Sequence, residues 1–270
     1  TLLPRDIWFT SVTGIWQTVW LEPAPQTRIE SLRMTPDIDA GVLQVKAVTA
    51  NAKPGDRLRA VAMDGGAVVG SATAEIGDDL LVPVPNAKLW SPESPFLYTL
   101  RMELLRAGKR SDVVDSYFGM RKIAIEKDDK GTPRIALNNN IVFQVGPLDQ
   151  GYWPEGLYTA PTDEALKYDI EATKRLGFNM TRKHIKVEPE RWYYWCDKLG
   201  LPVWQDMPNG EPRTATEKKQ FEHELQRMLE ERGNHPCIVM WIVFNEGWGQ
   251  YDTERLTQFV KTQDPSRLVN

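Results

Sequence analysis

Apolar and polar residues follow two different periods along the chain, and the change falls near residue 123. Before it the alternation has period two. Leu43, Val45 and Ala47 alternate with Gln44, Lys46 and Val48, and Leu58, Ala60 and Ala62 alternate with Arg59 and Val61. Successive side chains of an extended chain point to opposite faces, so this pattern predicts half-buried strands. Asp64-Gly65-Gly66 separates two such runs and signals a hairpin. Further runs over residues 80–84, 97–105 and 113–120 are punctuated by Pro54-Gly55, Gly77-Asp78 and Ala107-Gly108. No helical period is present between residues 24 and 122. About seven short strands in ~100 residues predict an antiparallel β-sandwich of immunoglobulin type, without the cysteine pair of antibody domains.

After residue 123, strand-like and helical stretches take turns. Apolar runs at 141–145, 178–182, 201–205 and 238–244 read as strands. Between them, Leu166, Ile170 and Thr173 share one helical face, as do Trp192, Trp195, Cys196 and Leu199. Phe221, Leu225 and Met228 share a third face, and Leu256, Phe259 and Val260 a fourth. Pro161-Thr162, Pro189 and Asp252 mark helix starts, and Gly177, Gly200 and Gly233 read as C-terminal caps. Four strand–helix units in a row predict parallel strands, either in an open doubly wound sheet or in a (β/α)8 TIM barrel. No Gly-x-Gly-x-x-Gly follows the first strand, which weakens the dinucleotide-binding alternative. Polar residues gather at the C-terminal ends of the strands: Arg182-Lys183-His184, Gln205-Asp206 and Asn245-Glu246. Barrels build their active sites there. About 150 residues follow Lys122, whereas a whole barrel takes ~250, so the expectation is the N-terminal half of a barrel.

Composition narrows the function. With 41% hydrophobic and 26% charged residues the chain is an ordinary globular one. A net charge of −4, from 33 basic and 37 acidic side chains, provides no broad cationic field, so no nucleic-acid or acidic-membrane partner is expected. No stretch approaches the ~18 apolar residues of a membrane span. Cys196 and Cys237 cannot build a disulfide framework. The ten tryptophans serve either as core or as rings that stack on sugar faces. Three scattered histidines lack metal-ligand spacing: His223 reads as solvated and His235 as structural.

The run Met240-Trp241-Ile242-Val243-Phe244-Asn245-Glu246-Gly247-Trp248 is the most specific feature. A buried strand delivering Asn245 and Glu246 to a barrel mouth would desolvate the carboxyl and raise its pKa. Glu246 could then protonate a leaving oxygen, as glycoside cleavage requires, and Asn245 could bond a sugar hydroxyl. The alternative is a loop that caps a helix.

Four segments resemble glycoside hydrolase family 2, the β-galactosidase and β-glucuronidase group. Gly14-Ile15-Trp16-Gln17-Thr18-Val19-Trp20-Leu21-Glu22 resembles the end of its N-terminal sugar-binding jelly roll. Leu89-Trp90-Ser91-Pro92-Glu93-Ser94-Pro95 and Phe118-Gly119-Met120-Arg121 resemble late parts of its immunoglobulin-like domain. Arg232-Gly233-Asn234-His235-Pro236-Cys237 through Glu246 resembles its acid/base strand. The resemblance implies a jelly-roll remnant over residues 1–22, an immunoglobulin-like β-sandwich over 23–122 and the first half of the catalytic barrel over 123–270.

It also implies roles. Glu246 would be the general acid/base, Asn245 the partner of the substrate 2-hydroxyl, and Arg182 an orienter of the catalytic carboxylates. Asp206 would line the site. The implied activity is a retaining exo-β-glycosidase with two carboxylates ~5–5.5 Å apart, acting on a β-galactoside first and a β-glucuronide or other β-glycoside next. A sugar-binding module without catalysis is the alternative.

The chain departs from the family's pattern in two places. Gly146-Pro147-Leu148-Asp149-Gln150-Gly151-Tyr152-Trp153 stands where many members carry a His–Glu pair. Arg182-Lys183-His184-Ile185-Lys186 replaces the commoner Arg-x-x-His. Asp149, Trp153 and His184 are candidate sugar contacts, with core packing open for Trp153 and a structural hydrogen bond open for His184. The departures remove the ligands of the Mg²⁺ that some members use, so no metal and no other cofactor is expected.

The family's nucleophile, a second Glu on the seventh barrel strand, has no counterpart here; Glu155 and Glu211 read as solvated loop residues. The expectation is an internal fragment that is inactive alone and self-associates through its open barrel edges. Thr1-Leu2-Leu3-Pro4-Arg5-Asp6 has no starting Met and no secretion signal. The compartment stays open, with a bacterial periplasm and cytoplasm both compatible.

Overall fold

The computed structural model describes residues 9–270. Its first seven strands are β1 Arg28–Asp37, β2 Val42–Ala50, β3 Arg57–Asp64, β4 Ala67–Glu75, β5 Leu80–Pro83, β6 Tyr98–Arg106 and β7 Lys109–Phe118. They make two antiparallel sheets, β1-β2-β5 and β4-β3-β6-β7. The alternate residues Leu43, Val45, Leu58, Ala60, Ala62, Leu100, Met102 and Leu104 fill the space between them. The β3–β4 turn pairs Asp64 with Ala67 and leaves Gly65 and Gly66 at φ of 54° and 94°. Both are left-handed, the geometry that two-residue hairpins need.

Three short strands follow: β8 Ile123–Lys127, β9 Pro133–Leu137 and β10 Asn140–Ile141, in a separate antiparallel sheet. This sheet is not legible in the periodicity. The apolar run at 141–145 gives only its first residue to a strand, while Phe143 and Val145 are 82% and 45% exposed. Residues 143–147 still run beside 179–182, but an Asn side chain stands in for part of the ladder. Val145 N–H donates to Asn179 Oδ1 and Asn179 N–H to Val145 O. Ile123 and Leu137 pack with Val239, Trp204 and Leu268, so this sheet covers one end of the barrel strands' inner face.

The remaining elements are β11 Leu148–Asp149, α1 Asp163–Arg175, β12 Thr181–Lys183, α2 Glu190–Leu199, β13 Val203–Asp206, α3 Ala215–Arg232, β14 Ile238–Ile242, α4 Thr253–Gln263 and β15 Leu268–Val269. The five strands pair in parallel and in sequence order, as in part of a barrel. Thr162 caps α1 by accepting from Ala165 N–H, and Thr214 with Glu217 forms a reciprocal capping box on α3. Gly200 ends α2 with a left-handed φ of 73°. Gly233 caps α3 as expected, though with a right-handed φ of −66°, and its missing side chain leaves room for the Arg33 guanidinium.

Two buried side chains join sandwich to barrel. Trp90 donates its indole N–H to Asp197 O at 2.8 Å. Arg121 donates to the carbonyls of Pro236, Ser266 and Ile238 at 3.1, 2.7 and 2.9 Å. Burial, with the Arg267 charge next, pulls the Arg121 pKa down to about 9, which leaves it charged at neutral pH. Pro236 and Ser266 precede β14 and β15. The sandwich therefore sits at the N-terminal ends of the strands, away from the predicted site.

Of the jelly-roll strand expected within residues 1–22, residues 1–8 lie outside the described part, and 9–22 form no strand. Phe9 and Trp16 lie on the loop after β11, where Phe9 stacks on Tyr152 at 4.3 Å and Trp16 meets Tyr158 edge-on. No described helix is long and apolar enough to cross a membrane.

Candidate active site

The end of β12 distributes its residues by strand alternation. Arg182 and His184 point to one face and Lys183 to the other, as a two-residue period requires. Arg182 grips Asp206 at the end of β13 with two parallel bonds, Nε to Oδ1 and Nη2 to Oδ2, each 2.9 Å. This fork geometry suits a planar guanidinium. His184 Nδ1 lies 2.7 Å from Asp206 Oδ2. A carboxylate only accepts, so Nδ1 carries the proton. Asp206 is 1% exposed, and Arg182 and His184 make its burial tolerable.

Arg182 Nη2 also donates to Asn245 Oδ1 at 2.9 Å. That bond fixes which way the Asn245 amide faces, and its Nδ2 donors turn away from Arg182. Three strand ends, β12, β13 and the stretch after β14, thus meet through one guanidinium. The sequence reading names all four members: Arg182, His184, Asp206 and Asn245.

Glu246 departs from expectation. It was to project, shielded, from an extended segment. The β14 ladder ends at Ile242, and the Trp248 N–H donates to Asn245 O at 3.0 Å, closing a turn. Glu246 sits in that turn at a left-handed φ of 53° and is exposed.

Asp149 ends β11, and the loop after it carries Trp153. Asp149 Oδ2 accepts from Lys183 Nζ at 2.7 Å and Oδ1 from Gly151 N–H at 2.8 Å. Trp153 is half-buried against the barrel core, pairs its backbone with Leu157, and buries its indole N–H without a partner. Sequence reasoning places Lys183 and Lys186 in the run at the end of the second strand but gives them no role, and it passes over Glu188. Their signal was there to find: charged residues at a buried strand end must be paired.

Backbone strain gathers at the same end of the barrel. Each of the four loops that follow β11 to β14 holds a non-glycine residue at positive φ: Leu157 and Glu211 at 53°, Ile185 at 54° and Glu246 at 53°. For a β-branched residue such as Ile185 this is a marked outlier. Such strain costs on the order of 1–3 kcal/mol per residue and collects at functional sites.

Other candidates stay apart from this cluster. His235 is buried between Asp197 and Glu190, with Nδ1 at 2.6 Å and Nε2 at 2.7 Å. His223, Glu155 and Glu211 are exposed. Among the described residues no three or more His, Cys, Asp or Glu side chains converge to hold a metal ion.

Comparison with known proteins gives two matching family models. One, glycosyl hydrolases family 2, matches residues 27–121, and the TIM barrel domain of the same family matches residues 159–270. A β-galactosidase of Lactococcus lactis subsp. lactis is 27% identical over 98% of this chain and 27% of its own length. The β-galactosidase 2 of Enterobacter cloacae is 28% identical over 98% of this chain and 28% of its own. The chain thus spans little more than a quarter of the length of these curated relatives. Among solved structures, an FMN-binding β-glucuronidase of Facaelibacterium prausnitzii superposes with a TM-score of 0.79 at 23% identity, covering 91% of this chain and 41% of that one. A family 2 member from Bacteroides cellulosilyticus gives 0.72 at 25% identity, covering 90% and 36%.

Proposed function

This chain belongs to glycosyl hydrolase family 2, and from that premise we propose that it supplies the acid/base side of the active site of a retaining exo-β-glycosidase. Glu246 protonates the departing glycosidic oxygen and then deprotonates the water that releases the sugar. Asn245 donates from Nδ2 to the 2-hydroxyl. Arg182 orients Asn245 and Asp206, His184 and Asp206 line the site, and Asp149 and Trp153 border it from the end of β11 and the loop after it. The substrate is a β-galactoside in the first instance and a β-glucuronide in the second.

The observation that carries this reading is the Arg182–Asn245 bond, which leaves the amide donors free beside Glu246. In the complete protein, Glu246→Gln should lower turnover of glycosides with poor leaving groups by roughly 10²–10⁴-fold. Aryl glycosides with good leaving groups should suffer less and recover with added azide. Equal activity of variant and parent on every glycoside would overturn the assignment.

We further infer that the nucleophile of the retaining pair comes from outside these residues. The carboxylates next to Asn245 and on the neighbouring loop are already committed, Asp206 to Arg182 and His184, and Asp149 to Lys183. Residues 1–270 alone should then leave aryl glycosides intact; turnover that disappears with Glu246→Gln would refute this. The exposure of Glu246 favours, as a second reading, sugar binding without cleavage. A sugar lactam that mimics the transition state separates the two, binding tightly only to a catalyst.

A further inference from the structure

A second set of ionisable groups lies on the opposite face of β12 from Arg182 and takes no part in the acid/base reading. Lys183, Lys186 and Glu188 are 1%, 1% and 2% exposed. Glu188 Oε1 accepts from Lys183 Nζ at 2.9 Å and lies 3.1 Å from Lys186 Nζ. Lys183 also reaches Asp149 and sits 4.2 Å over the Trp192 ring. Lys186 donates to two carbonyls of the loop after β11, Gly151 O at 2.5 Å and Tyr158 O at 2.9 Å. It also lies 4.5 Å over the Tyr158 ring and 5.1 Å over Trp16. Two lysines face two carboxylates, the buried Glu188 and the half-buried Asp149, so the charges balance.

The loop they touch closes on itself through the Trp153–Leu157 backbone pair, at 2.7 and 3.0 Å, but it carries strain and an unmet donor. Leu157 is left-handed, and the Trp153 indole N–H is buried without a partner. Gly151, at φ 65°, sits so close that a methyl group there would overlap Glu188 Oε1 and the Lys186 side chain. Buried ion pairs add little stability over apolar residues of equal size, and their best-attested use is to fix one arrangement.

We propose that Lys183, Glu188 and Lys186 are positioning residues that clamp the 149–158 loop onto the segment after β12 and so set one wall of the sugar pocket. The wall's effect on a sugar rests on the glycosidase reading; the hold on the loop does not.

The test uses the complete protein with Lys186→Met, Lys186→Arg and Gly151→Ala. It reads amide hydrogen exchange over residues 149–158 together with kcat and KM on an aryl β-galactoside. Lys186→Met should speed exchange in the loop about tenfold or more and leave the β13 and β14 amides unchanged. It should raise KM about fivefold or more with kcat within about twofold, and Lys186→Arg should restore most of the loss. Should Lys186→Met not fold, Gly151→Ala disturbs the same contacts from the loop side and is read in its place. Loop exchange no faster than in the parent overturns the proposal. Faster exchange with unchanged KM overturns it too, because the loop is then no wall of the pocket. If the parent cleaves no aryl β-glycoside, the glycosidase reading falls and exchange alone decides the clamp.

Discussion

Asp206 is held by a guanidinium fork and an imidazole, and the same guanidinium orients Asn245. A lysine at position 182 could reach one of these partners but could not present parallel bonds to Asp206 and a third to Asn245. Arg182→Lys in the complete protein should therefore lower kcat/KM by about 100-fold. Steady-state kinetics within about twofold of the parent would remove Arg182 from the site.

A different residue governs pH dependence. Burial opposes the charge on His235, but Asp197 and then Glu190 outweigh it and raise its pKa from 6.5 to about 9. A group raised in the folded state stabilises fully below its unfolded pKa and loses that contribution as pH climbs through the folded one. On the order of 3 kcal/mol should thus drain away between about pH 6.5 and 9. His235→Gln should unfold at lower denaturant at the acid end and show a flatter profile across that window; a parallel slope in both proteins would count against it. Arg182, Asp206 and Asn245 were legible because strand ends in a parallel barrel are where polar residues have work. The lysine clamp was legible only as a demand for partners, because which partners meet across two loops depends on which face of β12 each residue takes.

Local chemistry fixed the elements more reliably than the sheet edges. The capping box at Thr214 and Glu217 lies at the start of the longest helix, α3. Its removal by Thr214→Ala should cost about 1 kcal/mol in a denaturant titration; no change would mean that packing of Phe221, Leu225 and Met228 alone sets the helix start. Sandwich strands β2 to β7 and the four helices follow from period and punctuation, since each buries one face, whereas β1 is not among the runs that the pattern picks out. The sheet of β8 to β10 does not follow, because its strands are short and only three residues, Ile123, Leu137 and Val239, form its buried core. Glu246 shows the same limit. An unbroken apolar run predicts extension through Phe244, yet parallel pairing stops at Ile242 and the chain turns. Arg121 is the reverse case, a buried charge that forms no ion pair among the described residues and bonds three carbonyls across the sandwich–barrel junction. Arg121→Met should destabilise by about 2 kcal/mol or more, since the Pro236 and Ser266 carbonyls lose this donor, whereas Ile238 O keeps Arg267 Nε.

At the scale of the whole molecule, the parallel sheet has β11 and β15 as its outer strands in this chain. The approach to β11 is apolar and open: Ile141, Phe143, Val145 and Leu148 are 50%, 82%, 45% and 55% exposed. An edge with unpaired backbone groups and exposed apolar side chains is a template for pairing. Residues 1–270 in isolation should accordingly associate with their own copies in a concentration-dependent way, visible by sedimentation. Phe143→Lys is the discriminating variant. The side chain stands in solvent, so the change should alter folding stability by no more than about 0.5 kcal/mol, while a charge on an edge is what natural sheets use to block pairing. Dissociation of the assembly by this one substitution would locate the contact at the β11 edge. Assembly that ignores it would move the contact elsewhere, and a chain that stays monomeric at every concentration would show that the edge is protected by its own twist and by the side chain of Asn179, which already occupies part of the neighbouring ladder.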